Sequence, residues 1–214
     1  MNERHQRSIG EETSSDERHP FVFLGGNLAL DLVNTEIMVR GKREDLLVTS
    51  QNATQWWEMA RQAYPRIIQE QEQWEWNEQQ VLSLRTLRRA LRDLFETLVA
   101  HHQTNEDQVK ELNTFLREGY YSLQVSPEGK ISAVYQTGGD QGSEALLFIA
   151  HAAMDLLTKQ DLKRLHACQN ERCMLLFYDT TKSATRHWCS IACTNRSRSI
   201  ENYRKAKKAL SPWP

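Results

Sequence analysis

The sequence predicts a mainly α chain with small β-hairpins (α+β): a helical N-terminal body followed by a compact, cysteine-rich C-terminal module. Three observations carry this. Leu84, Leu87, Leu91, Leu94 and Leu98 recur in alternating steps of three and four, the spacing of one buried helix face. The run YYSLQVSPEGKISAVYQT alternates in polarity on either side of Pro127-Glu128-Gly129, a hairpin pattern. All four cysteines of the 214 residues lie between 168 and 193. Three segments follow: a polar tail over 1–19, a helical domain over 20–160 and the cysteine module over 161–210.

Taken in order, MNERHQRSIGEETSSDERHP lacks the apolar core of a secretory signal and reads as a flexible polar tail. Phe21 to Leu24 is a short β-type run, and Gly25-Gly26 turns the chain. Leu28, Leu32 and Val33 fall at helical spacing, so a helix starts near Asn27. Arg40-Gly41-Lys42 and Asp45-Leu46-Leu47 read as loop. The Asn52-Ala53-Thr54 stretch caps a helix carrying Trp56, Trp57, Met59, Ala60 and Tyr64, and Pro65 kinks it or starts another. The leucine stripe defines a helix over 78–100. Arg85, Arg88, Arg89 and Arg92 lie off the stripe, as a solvated face interleaved with Asp93 and Glu96 or as a basic patch. A helix after Asn105 turns Val109, Leu112 and Leu116 inward. After the hairpin, a helix over 143–158 buries Leu146, Leu147, Ala150, Met154 and Leu157, and carries His151 in a structural role.

Composition bounds the function. Hydrophobic residues at 39% and charged residues at 26% suit a globular protein. No apolar run approaches the ~18 residues of a membrane span, so no membrane partner is expected, and without an export signal the cytoplasm is the expected compartment. Thiols there stay reduced, so clustered cysteines point to a metal. The formal net charge of −1 is uneven: residues 161–210 carry +7, and the rest of the chain −8. A basic module on an acidic body suits a polyanionic partner.

Cys168, Cys173, Cys189 and Cys193 are spaced C-x4-C-x15-C-x3-C. Two close cysteine pairs supply the four corners of a tetrahedral zinc site. Four thiolates leave no open position, which makes the metal structural. His166 or His187 could replace one cysteine. Between the pairs, Met174–Tyr178 reads as a strand and Arg186–Trp188 as its returning partner. Ser190 then caps a helix whose N-terminus holds the second pair. Loop, hairpin and ligands at a helix N-terminus is a treble-clef-like layout.

The stretch LHACQNERCMLLFYDTTKSATRHWCSIACTNRSRSIENYRKAKK, residues 165–208, resembles the CGNR zinc-finger family. The name-giving tetrapeptide stands as Cys193-Thr194-Asn195-Arg196, with Thr in place of Gly. FVFLGGNLALDLVNTE, followed by RG and DLL, resembles the ABATE domain that precedes this finger in the family. The resemblance implies a bacterial stress-response transcription regulator.

In the last helix, Ile200 and Tyr203 with Ala206 or Leu210 form an inward stripe. Asn195, Arg198, Asn202 and Lys205 point elsewhere, flanked by Arg196, Arg204, Lys207 and Lys208. Asn and Arg can pair bidentately with adenine and guanine, and Lys and Arg neutralise phosphates. With Arg186, these residues form the expected DNA-binding set. Asn195 and Arg196 have a second reading as braces of the zinc loop. A zinc-stabilised protein- or RNA-interaction module is the alternative to DNA binding. In the body, Asp31, Asn34, Thr35 and Arg40 either line a pocket for a small-molecule effector or serve capping and loop bonds. A homodimer would suit a single finger's small footprint, and the leucine stripe serves either that interface or the body's own core. No nucleophile elbow, P-loop, dinucleotide fingerprint or HExxH pair occurs, so no enzyme activity is expected.

Overall fold

A computed structural model describes residues 21–68 and 75–209. The tail 1–19 and Leu210 lie outside the described residues. Phe21–Leu24 forms no helix and joins no sheet. Phe23 stacks on Trp56, with ring centroids 6.4 Å apart, and the Tyr178 amide donates to Gly25 O at 2.8 Å. Gly25 is a close-approach site: a Cβ there would lie 2.7 Å from Leu30 Cβ. Helix α1 (Leu28–Val33) follows, its N-cap Asn27 accepting from the Ala29 amide, and every residue of it is buried.

The expected loop over 40–47 is instead a hairpin. Strands β1 (Glu36–Val39) and β2 (Lys42–Asp45) pair antiparallel. Arg40 and Gly41 at the turn both have positive φ, 50° and 81°. That is the two-residue turn that matches strand twist. The usual alternating apolar signal is missing because the hairpin meets α3 through ion pairs, and only Ile37 is packed against an apolar cluster, that of the cysteine module.

Helix α2 (Ser50–Ala63) is capped by Thr49, with Asn52 at N3 completing a reciprocal capping box. It ends at Tyr64, before Pro65. Helix α3 (Glu78–His101) buries the whole leucine stripe in the body's own core, with Phe95 and α1. Helix α4 (Glu106–Leu116) buries Leu112, but Val109 is exposed, not inward. Strands β3 (Gly119–Val125) and β4 (Ile131–Thr137) form the expected hairpin. Helix α5 (Gln141–Lys159) is capped by Asp140. It buries Leu147 and Ala150 as expected, with Ala145, Ile149, Ala153 and Leu156, whereas Leu146, Met154 and Leu157 are half-buried at its margin.

Arg88 and Arg92 contradict the reading of a solvated or basic helix face: both are buried, at 3% and 2% exposure. Each faces carboxylates that the β1–β2 hairpin supplies. Arg88 grips both Asp45 oxygens (2.6 and 2.7 Å) and Thr35 Oγ1 (3.0 Å). Arg92 Nε donates to Glu36 (2.9 Å), and its other nitrogens to Glu96 Oε1 (3.0 Å) and Val33 O (2.5 Å). Buried charges persist only when paired in this way.

After a 3₁₀ turn (Leu162–Arg164), strand β5 (Leu165–Ala167) pairs antiparallel with β6 (Leu176–Tyr178). The expected hairpin of 174–178 with 186–188 does not form; the first cysteine loop is itself the turn between β5 and β6. Leu165 and Leu176 join the body's core, whereas Leu175 and Phe177 face the cysteines. Helix α6 (Ile191–Ala209) ends the described chain.

Candidate metal centre and nucleic-acid interface

The β5–β6 turn carries Cys168 and Cys173. Asn170 shapes it: the Cys173 amide donates to Asn170 O (2.8 Å) and the Arg172 amide to Asn170 Oδ1 (3.0 Å). Cys189 and Cys193 bracket the start of α6. Ser190 caps that helix as expected, its Oγ accepting from the Cys193 amide at 3.2 Å. Thr194, where the motif has Gly, lies in ordinary helix, its hydroxyl donating to Ser190 O at 3.1 Å.

The four sulfurs lie within 4.8 Å of one another. Cys173–Cys189 and Cys189–Cys193 Sγ separations are 3.8 and 3.6 Å. A tetrahedron with Zn–S near 2.3 Å requires sulfurs about 3.8 Å apart, so the donor set fits zinc. The Cys189 amide points at Cys168 Sγ (3.5 Å), the N–H···S contact a thiolate favours. Without a cation the thiols conflict. Hydrogen bonds from Cys173 and Cys189 pull the Cys168 thiol down, and Cys168 in turn pushes both of those up. A divalent metal holding four thiolates removes that conflict. His166 packs on Phe177 and His187 on Trp188, and neither enters the cluster.

Polar braces surround the site. Asn170, 2% exposed, donates through Nδ2 to Cys193 O and Ser197 Oγ, both at 2.9 Å, tying the first cysteine loop to α6. This brace was missed from sequence, where Asn195 and Arg196 were its candidates; both of those side chains are exposed. Arg186 sits over the Phe177 ring (4.8 Å) and donates to Cys189 O (2.7 Å), so its guanidinium supports the metal loop. Buried Asp179 accepts from the Arg186 amide (2.9 Å) and from Thr181 Oγ1 (2.7 Å). Burial alone would raise its carboxyl, but these hydrogen bonds hold it down at about 2.

Helix α6 leaves the finger after nearly three turns. Cys193, Ser197 and Ile200 face inward, but every side chain from Glu201 to Lys208 is exposed. Tyr203 is 69% exposed, so the expected inward stripe stops at Ile200. Asn195, Arg198, Asn202 and Lys205 share the face opposite Cys193. Arg204 reaches Glu171 (2.7 Å) and Lys205 pairs with Glu201 (2.5 Å); both pairs are exposed. Arg196, Lys207 and Lys208 lie off that face and are exposed too.

The four polar residues proposed for a pocket are placed differently. Asp31 is buried, accepting from the Gly25 amide (2.7 Å) and the Tyr64 hydroxyl. Asn34 makes a two-way bond with the Leu176 backbone, donating to its O at 2.8 Å and accepting from its N at 2.9 Å. Thr35 donates to Leu32 O (2.7 Å), and Arg40 is exposed at the β1–β2 turn. Asp31, Asn34 and Thr35 thus make capping and packing bonds.

A family model described as "putative stress-induced transcription regulator", ABATE, matches residues 26–160. The chain belongs to the ABATE family. A second model, the CGNR zinc finger, matches residues 164–206 and covers all four cysteines. No curated protein matches the chain. The CGNR finger therefore holds one structural zinc on Cys168, Cys173, Cys189 and Cys193. No described helix is long and apolar enough to cross a membrane.

Proposed function

We propose that this ABATE-family protein is a DNA-binding transcription regulator in which the zinc-held CGNR finger presents α6 to duplex DNA, with no catalytic step. The observation that carries the reading is the free helix. From Glu201 onward α6 touches little of its own chain, yet carries Arg204, Lys205, Lys207 and Lys208, and its outward face bears Asn195, Arg198 and Asn202. Side chains of this kind read base edges, and the helix's other cations hold phosphates. Arg186 belongs to the support of that helix rather than to its contact face. The acidic body would sense an effector or join two copies so that two helices meet adjacent half-sites.

Exposed Ile191 (80%) and Tyr203 (69%) favour a second reading, a protein or RNA partner laid along α6. Duplex selection with zinc-loaded protein, beside Cys189→Ser/Cys193→Ser, separates them. DNA binding predicts an enriched motif lost in the variant, and log K falling with log salt by about 0.9 per phosphate contact. No enrichment and no salt-dependent duplex binding at low salt would reject it.

A further inference from the structure

The β1–β2 hairpin and α3 enclose a groove of about 660 Å³ that no sequence motif marks. Its floor holds buried Arg88, and its rim Arg43, Arg85 and Arg89; Leu82, 56% exposed, adds an apolar wall. Two carboxylates at its base are already neutralised from beneath: Asp45 by the two-pronged grip of Arg88, and Glu36 by Arg92. The rim cations are therefore additional. Arg85 adds one contact to Asp45 (3.1 Å) and Arg43 one to Glu36 (2.5 Å), and both side chains line the groove. Arg89 is exposed beside them, with Asp93 one helical turn further along the same face of α3. With Arg92 and Glu96 included, five guanidiniums meet four carboxylates here, although the chain outside 161–210 carries net −8. Positive charge collected locally on an acidic body, held in place by buried ion pairs, is the arrangement that takes an anion.

We propose that this groove binds a small organic oxyanion, a polycarboxylate or a phosphate ester, through the Arg43, Arg85 and Arg89 forks, with Leu82 against its apolar part. The proposal rests on the effector-sensing half of the function above and names its ligand class. A route to the finger exists in the same network. Arg92, which holds Glu36, also donates to Met174 O at 3.4 Å, one residue from Cys173. An anion drawing Arg43 away from Glu36 would alter the pairing that Arg92 completes.

The test is calorimetry and thermal shift on zinc-loaded full-length protein with citrate and with inorganic phosphate as separate probes. Saturable binding of either is expected, and the better probe tells carboxylate from phosphate. Arg85→Gln/Arg89→Gln, both at exposed positions, should weaken it at least about tenfold, as losing two charge-assisted contacts requires. Lys207→Gln/Lys208→Gln on α6 should leave it unchanged. Absence of saturable binding of both probes, wild-type affinity in the α3 variant, or loss in the α6 variant overturns the proposal. Because duplex binding is measured separately, failure of the DNA reading leaves this result interpretable.

Discussion

The helical body and the zinc finger are stable for different reasons. In the body a continuous apolar cluster joins Leu28 and Leu32 of α1, Trp56 of α2, Leu84 to Leu98 of α3 and Ile149 to Leu156 of α5. The finger has Leu175, Phe177 and its own cysteines for a core. An apolar cluster that small cannot offset the entropy of ordering some forty residues, so coordination and polar braces must hold it. The two are nevertheless welded along β5–β6, since Leu165 and Leu176 lie in the body's core.

Removing the metal tests that contrast most strongly. Zinc contributes about 10–16 kcal/mol of apparent free energy to small finger modules. Chelation, or Cys189→Ser/Cys193→Ser, should therefore abolish amide protection around residues 168–200 while α3 and α5 stay protected. Hydrogen exchange read by segment checks this, and equal loss of protection in α3 would mean that the body depends on the finger. Leu91→Ala is the reciprocal break. Leu91 is fully buried, so truncation should cost about 2–5 kcal/mol in urea unfolding of the body while zinc affinity stays nearly constant.

The next effect is electrostatic and confined to the body. Burial raises Asp31 to about 6, despite hydrogen bonds from Tyr64 and Gly25. In the unfolded chain the carboxyl ionises near 3.8. Between those values the native state binds the extra proton, so the Asp31 contribution to stability falls as pH rises from about 4 to about 6, and is level above. Two units correspond to about 3 kcal/mol. Asp31→Asn keeps an acceptor for the Gly25 amide and should remove this slope. A wild-type minus variant stability difference that is flat across pH 4–6 would contradict it.

Legibility in the sequence followed the kind of force at work. The leucine stripe, the β3–β4 hairpin and the zinc ligands were readable because periodicity and cysteine spacing are local signals. The β1–β2 hairpin was not, because EIMV and KRED meet α3 through Glu36 and Asp45, and ion pairs 43 and 56 residues apart in sequence leave no period. Arg88 and Arg92 read as surface for the same reason: their partners are distant in sequence. The returning finger strand was misplaced because β6 pairs with β5, which precedes the first cysteine. Asn170 was passed over although it lies inside CQNERC, since its bond to Cys193 O exists only once the metal loop closes on α6.

The smallest predicted effect lies on the weld itself. Asn34, 1% exposed at the end of α1, satisfies both the N–H and the C=O of Leu176. Asn34→Ala would leave two buried backbone groups unpaired where β6 enters the body, a cost of about 2 kcal/mol at the low end of about 1 kcal/mol per group. Leu165 and Leu176 would still be buried and the cysteines untouched, so the variant should fold and bind zinc. What it should lose is the rigid seating of the finger: faster exchange at the Leu176 amide, with little change at α3 or around Cys189. If finger and body were joined by apolar contact alone, Leu176 exchange would not respond. If instead the whole chain were one cooperative unit, α3 and the finger would loosen together. The segment-resolved result therefore decides whether a signal arising in the body has a mechanical path through α1 and β6 to the metal that positions α6.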